Sequence, residues 1–241
     1  MDLLHYVYLI LIGFGAGFIQ RVSGFGLGIF AMMFLPHFLP THTAAAAISC
    51  LFSSVTSTYN AVLYRRSVAY KMALPMIMAS LVSIPVAVQF AALVSADIFE
   101  VLLGAVLIVL SIYFLFFNNR IKIRPGIFGG VVAGTLSGVL NGLFSTGGPP
   151  VVLYLSNATQ DNITYFATIQ FFFSFTNLYA TATRIFSGII DGQLLLYALV
   201  GIMGCMAGDF LGKRVFDKLD ANKLKYIIYI GMILSGIVMF F

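Results

Sequence analysis

Runs of about twenty residues with almost no charge dominate this sequence, and they restrict its fold more than any other feature. Ala44–Tyr64, Met72–Val94 and Ile163–Thr183 contain no Asp, Glu, Lys or Arg; Ile98–Phe117, Gln193–Leu211 and Leu224–Phe241 contain one each. A helix of that length crosses a hydrocarbon layer of roughly 30 Å. Lipid offers the backbone no hydrogen-bond partner, so continuous apolar runs of this length call for helices. Composition agrees: 61% of the 241 residues are hydrophobic and 9% are charged, against about a quarter charged in soluble domains. The chain reads as an all-α polytopic membrane protein with no room for a separate soluble domain. Its net charge of +5 reads as basic cytoplasmic loops rather than a nucleic-acid surface. The start, MDLLHYVYLILIG, lacks a basic leader region and reads as a membrane segment, not a cleaved signal. Cys50 and Cys205 sit in apolar runs and read as packing residues.

Two segments break the pattern. Leu3–Leu39 and Gly126–Asn157 are too long for one helix, and each is interrupted by glycines near its middle. The order is one broken segment and three helices, then the same again. This divides the chain into a first repeat (1–117), a linker (118–125) and a second repeat (126–241). At an offset of 119, Ser49 falls on Thr168, Ser57 on Thr176, Ala61 on Ala180 and Arg65 on Arg184. Internal duplication is common in transporters.

The basic residues choose an orientation. Suppose each broken segment goes into the membrane and comes back. Then Arg65, Arg66 and Lys71, the linker's Arg120, Lys122 and Arg124, and Lys213, Arg214, Lys218, Lys223 and Lys225 all lie inside. That leaves eleven inside and Arg184 alone outside; a single crossing gives seven against five. The positive-inside rule favours the former. The two repeats are then inverted, both termini lie outside, and the membrane segments number eight to ten. The sequence leaves open whether each broken segment is two full crossings or a re-entrant hairpin.

Irregular backbone at membrane depth is tolerated only where protein buries it or a wet cavity faces it. Ser23, Gly24, Gly26 and Gly28 interrupt the first segment; Asn141, Gly142, Ser145, Thr146, Gly147, Gly148, Pro149 and Pro150 interrupt the second. The double proline suits the first turn of a new helix, which Val151–Leu155 would continue. Its N-terminus beside Thr146–Gly148 would offer backbone donors and a positive dipole end to an anion. Gly26–Phe30 offers a second helix start. Gly13-xxx-Gly17 and Gly134-xxx-Gly138-xxx-Gly142 have the spacing of close helix contacts and read as packing.

The expected anion site comprises Arg21, Ser23, Gly24, Gly26, Asn141, Ser145, Thr146, Gly147, Gly148, Gln170 and Asn177. Arg21 has two readings: a cation facing the cavity, or a hairpin tip snorkelling to headgroups. Arg184 either lines a cavity mouth or caps a helix end. Ser49, Ser53, Ser54, Ser57 and Asn60, with Thr168, Gln170, Ser174, Thr176, Asn177 and Tyr179, recur at helical spacing as interhelical glue or a polar pathway. Asp209 either carries a coupling proton or pairs with Lys213 one turn on. His5, His37 and His42 sit near segment ends. No nucleophile motif, HExxH or phosphate loop occurs, so neither an enzyme nor a cofactor is expected.

Four stretches carry a family resemblance. GFGAGFIQRVSGFGLG and GVVAGTLSGVLNGLFSTGGPP resemble the paired glycine-rich signatures of the sulfite exporter TauE/SafE family, the 4-toluene sulfonate uptake permeases. YRRSVAYKMALP and MAGDFLGKRVFDKLDANKLK resemble two of its basic loops, in the same order. The second signature departs from the family pattern at Thr146 and the double proline. The resemblance implies a bacterial-type inner-membrane carrier for sulfite, sulfonates or related organic anions. Alternating access between inverted repeats would move a small anion, with a proton or sodium as candidate coupling ion. A passive anion pore and a non-transporting assembly protein are the competing classes.

Overall fold

The computed structural model describes residues 3–116, 126–159 and 161–215, together with Ile233 and Ile237. The described residues are helical, with no strand among them. In chain order the helices are α1 (Leu3–Ser23), α2 (Leu27–Phe34), α3 (His42–Leu63), α4 (Tyr70–Leu93), α5 (Ala96–Phe116), α6 (Ile127–Phe144), α7 (Gly148–Ala158), α8 (Asn162–Phe186) and α9 (Gly192–Val215). Linker Asn118–Pro125 and the run Leu224–Phe241, apart from Ile233 and Ile237, lie outside the described residues.

Six helices are long and apolar enough to cross a membrane: α1, α3, α4, α5, α6 and α9. The chain is an integral, multi-pass membrane protein. α8 matches them in length, with 25 residues, but carries seven polar or charged residues that the fold buries, from Thr168 to Arg184. It gains its place by packing, not by apolarity.

Both broken segments become a long arm and a short arm. α1 has 21 residues and α2 has 8; α6 has 18 and α7 has 11. At 1.5 Å per residue the short arms reach only roughly 12–17 Å, about half a bilayer core. Each short arm folds back on its long arm. Gly15 of α1 faces the Phe30 ring of α2, and the Tyr154 hydroxyl of α7 donates to the Gly126 carbonyl at 3.1 Å. Each broken segment is thus a long helix with a short helix folded back on it.

The turns follow from their residues. Gly24 and Gly26 take φ of 82° and 97°, a left-handed region that glycine enters without steric cost. α6 ends on Ser145 at φ 58°. Two strips of small residues then fix the long arms. A Cβ on Gly17 would lie 2.1 Å from the Cys205 carbonyl oxygen, and one on Gly134 would lie 2.2 Å from that of Met76. Only glycine allows such backbone contact, so the packing reading of these glycines matches the structure.

These contacts also give helix directions. Gly13 meets Gly201 and Gly17 meets Cys205, so α1 and α9 run parallel; Gly134 meets Met76 and Gly138 meets Ser80, so α6 and α4 run parallel. α3 and α8 form the central pair. Ser54 meets Thr181 at 3.2 Å and Thr58 meets Ser174 at 2.9 Å, so this pair is antiparallel.

α8 starts on an exposed N-cap. Asp161 accepts from the N–H groups of Thr164 at 2.8 Å and Ile163 at 3.0 Å. The Thr164 bond above all holds the Asp161 carboxyl below its usual range. A depressed folded-state value means that the cap's contribution is full above the ordinary aspartate value, near pH 4, and is lost as pH falls through the depressed one. Asp161→Ala is therefore expected to lower thermal stability at neutral pH, with the gap to wild type closing as the pH falls below about 4. Melting curves of both proteins at pH 7 and pH 3 check this.

Candidate functional site

The two hairpin tips meet. A Cβ on Gly28 would lie 1.8 Å from the Ser145 carbonyl oxygen, and one on Gly148 would lie 3.3 Å from the Phe25 ring. The first turns of α2 and α7 therefore face a common cleft, one from each broken segment. Gln20, Gly26–Ile29, Asn141, Ser145–Gly148, Ser53, Phe173 and Asn177 line it. No Asp, Glu, Lys or Arg is among the lining residues.

The N–H groups of a helix's first turn have no carbonyl a turn earlier to bond, and they carry the positive end of the dipole. α2 opens on Leu27, Gly28 and Ile29. α7 opens on Gly148, but its next two residues, Pro149 and Pro150, have no N–H to donate. The second tip has side-chain groups in their place.

Asn141 Oδ1, Ser145 Oγ and Thr146 Oγ1 are buried and find no hydrogen-bond partner among the described residues. Buried polar groups are almost always paired, because leaving one unmet costs about 1–3 kcal/mol. Ser145 adds a second cost. It is the one non-glycine residue at positive φ among the described residues, in a helix-end position that glycine usually takes. A left-handed residue with a Cβ costs roughly 1–2 kcal/mol. A glycine would end the helix more cheaply, and the serine's hydroxyl bonds nothing among the described residues.

The other predicted residues fall into two groups. Gly26, Asn141, Ser145, Thr146, Gly147, Gly148 and Asn177 all line the cleft. Asn177 also donates to Ser53 Oγ at 2.8 Å. Ser23, Gly24, Gln170 and Arg21 stand behind it. Ser23 Oγ donates to the carbonyls of Ile19 and Phe25, closing the first tip. Gln170 accepts from Gln20 Nε2 at 3.0 Å and donates to the Gly24 carbonyl at 2.8 Å, tying α8 to that tip.

Arg21 is buried within the protein and does not line the cleft. Its guanidinium donates to Asn60 Oδ1 and to the Tyr64 hydroxyl, and lies 3.9 Å from Asp209 Oδ2. The rings of Tyr64 and Phe166 flank it, each with its centroid 5.3 Å away. Asp209 also accepts from Asn60 Nδ2 at 2.8 Å. Its ion pair is with Arg21, not with Lys213 as the sequence spacing allowed.

Arg184 caps a helix end, but not its own. Nη2 donates to the carbonyls of Asn141 at 2.8 Å and Gly142 at 2.9 Å, in the last turn of α6. Of the polar residues read on α3 and α8, Ser53, Ser54, Ser174 and Asn177 bond across the central pair, Ser57 and Thr176 bond their own helix's backbone, and Ser49 Oγ is buried with no partner among the described residues. Tyr179 is exposed. Sequence reading missed Gln20 as a lining residue; its only signal was its place beside Arg21 just before the first tip. No group of metal-binding side chains forms among the described residues.

The described residues thus form a polar cleft between two short helices, inside a bundle of helices long and apolar enough to cross a membrane. The sulfite exporter TauE/SafE family model matches residues 9–239, and the chain belongs to that family of membrane exporters. Neither a curated protein nor a solved structure matches it.

Proposed function

We propose that this chain is a secondary carrier for a small sulfur-containing anion, sulfite or a small sulfonate, bound in the cleft between the hairpin tips. One observation carries the reading: Asn141, Ser145 and Thr146 crowd three unpartnered buried polar atoms around one tip, with Ser145 in a strained conformation. Strain and unmet polarity persist where function uses them. The two hydroxyls donate to sulfonyl oxygens, the Asn141 amide, whose unpartnered atom Oδ1 is an acceptor, donates through Nδ2, and the first-turn N–H groups of α2 and α7 add positive dipole ends. The family's name supplies the sulfur anion.

Alternating access between inverted repeats is the proposed mechanism. The helix directions support it. α1 packs along α9 and α6 along α4, so each long arm lies against the other repeat. Exchanging the repeats turns one pairing into the other. The equivalent helices α3 and α8 run antiparallel, which is what inversion requires. The cleft then lies between the repeats, where rocking one against the other exposes it to each side in turn. The basic-residue count puts both termini outside. A proton or sodium gradient is the proposed driving force.

Flux into proteoliposomes tests the reading, with sulfite, sulfate, taurine, sulfoacetate and acetate offered with and without each gradient. Saturable, gradient-sensitive flux of a sulfur anion supports it; unsaturable flux indicates a pore, and no flux an assembly role. Asn141→Ala and Thr146→Val are each expected to raise KM by roughly 10-fold, the worth of one hydrogen bond to a charged group. If both leave transport unchanged, the site is elsewhere.

A further inference from the structure

Two arginines are buried behind the hairpin tips, and among the described residues only one has a counter-charge. Arg21, behind the first tip, lies 3.9 Å from the Asp209 carboxylate. Arg184, behind the second, is 2% exposed and forms no ion pair among the described residues. No carboxylate is among its neighbours. On α6 they are the carbonyls of Asn141 and Gly142. On α3 the titratable group near it is the Cys50 thiol, which itself contacts Thr181 and Asn177 of α8. Nη1 has no hydrogen-bond partner.

A guanidinium cannot discharge itself by losing its proton. Buried without a carboxylate, it costs several kcal/mol, and two carbonyl dipoles offset only part of that. The remaining positive potential acts over a short distance in a low dielectric. The Asn141 carbonyl that Arg184 holds also accepts from the Ser145 N–H at 3.0 Å. The guanidinium therefore both fixes the strained tip and charges the wall behind it.

We infer that Arg184 sets the charge selectivity of the cleft, supplying the single uncompensated positive charge that one bound anion balances. This inference rests on the anion-carrier reading. Arg184 acts as a positioning residue through Asn141 and as a countercharge through space. With Arg21 neutralised by Asp209, the surroundings of the cleft carry one net positive charge. A singly charged anion leaves the site neutral. A dianion of the same shape leaves a buried negative charge unbalanced. The cleft therefore selects monoanions such as hydrogen sulfite, sulfonates with one charge, or their shape mimics.

Methanesulfonate and sulfate test this, being similar tetrahedra with one and two charges. Competition against transported substrate in proteoliposomes gives the affinity of each. Wild type is expected to prefer methanesulfonate by roughly 10-fold or more. R184Q keeps an amide donor for the two carbonyls but loses the charge, so its methanesulfonate affinity is expected to fall by roughly 30-fold or more. R184K keeps the charge and is expected to stay within about 5-fold of wild type. Wild type that prefers sulfate overturns the charge count without any variant. R184Q matching wild type, or outperforming R184K, makes Arg184 a structural cap only, while the carrier reading survives. Wild type that transports and binds no anion overturns the carrier reading itself.

Discussion

Gly28→Ala is expected to cut anion flux to below about a tenth of wild type while the protein still folds and inserts. The added Cβ would lie 1.8 Å from the Ser145 carbonyl oxygen and 3.0 Å from its carbonyl carbon. Real Cβ atoms do not approach that closely, and the obstacle is backbone at a tip, not the loose end of a side chain. The two tips must separate by an ångström or more. That displaces Ser145 and the hydroxyls beside it, and misplacement on that scale costs about 100-fold in a preorganised site. The long arms, the α3–α8 pair and the strips of small residues lie elsewhere, so most of the folding free energy is untouched. Gly126→Ala is the matched control, because a Cβ there meets nothing within 4 Å. Initial rates of sulfite or sulfoacetate flux, beside melting temperatures of the three proteins, decide it. Normal flux through Gly28→Ala would mean that contact between the tips is irrelevant to transport.

The largest effect on stability is expected from Asp209→Ala. Asp209 is the ion-pair partner of Arg21 and the acceptor for Asn60 Nδ2, and both charges are buried. Removing the carboxylate strands the Arg21 guanidinium inside the bundle. Breaking a buried pair in this way costs about 3–5 kcal/mol. The pair joins α1 to α9 and, through Asn60 and Tyr64, to α3. The loss should therefore appear as loosening of the α1 hairpin against the rest. Replacing both partners by apolar residues, Arg21→Met with Asp209→Leu, should recover most of it, because the cost lies in the orphaned charge. Thermal unfolding in detergent of the single and double variants measures the coupling. A single variant as stable as wild type would show that water reaches Arg21.

The cleft is asymmetric in a way that duplication alone does not produce. The first tip turns on Gly24 and Gly26, while the second turns on Ser145. The first has an arginine paired with Asp209, and the arginine behind the second forms no ion pair among the described residues. α7 starts with two prolines that donate nothing. Donors and charge are thus supplied by side chains on the second side and largely by backbone on the first.

The amino-acid sequence alone determined the class of this protein. Twenty-residue apolar runs admit helices across a membrane and little else, because lipid satisfies no backbone group. The two breaks were also legible, since serine, asparagine, glycine and paired prolines inside such runs are local signals. So were the glycine strips of α1 and α6, whose four-residue spacing marks one helix face. Seven of the eleven site residues read from the sequence line the cleft, and all but two of these seven belong to the second tip, where the local signal was strongest.

Only the tertiary structure decided the partners. Asp209 has Lys213 one turn away on its own helix, but the fold gives it Arg21 from a helix 188 positions distant in sequence. Arg184 ends α8, yet it caps α6. Gln170 and Asn177 share a helix face, but one ties down a tip while the other lines the cleft. Periodicity fixes which side of a helix a residue occupies; it carries no information about which helix lies opposite. That is set by the register of glycine backbones against α9 and α4 and by the antiparallel pairing of α3 with α8, contacts between residues far apart along the chain.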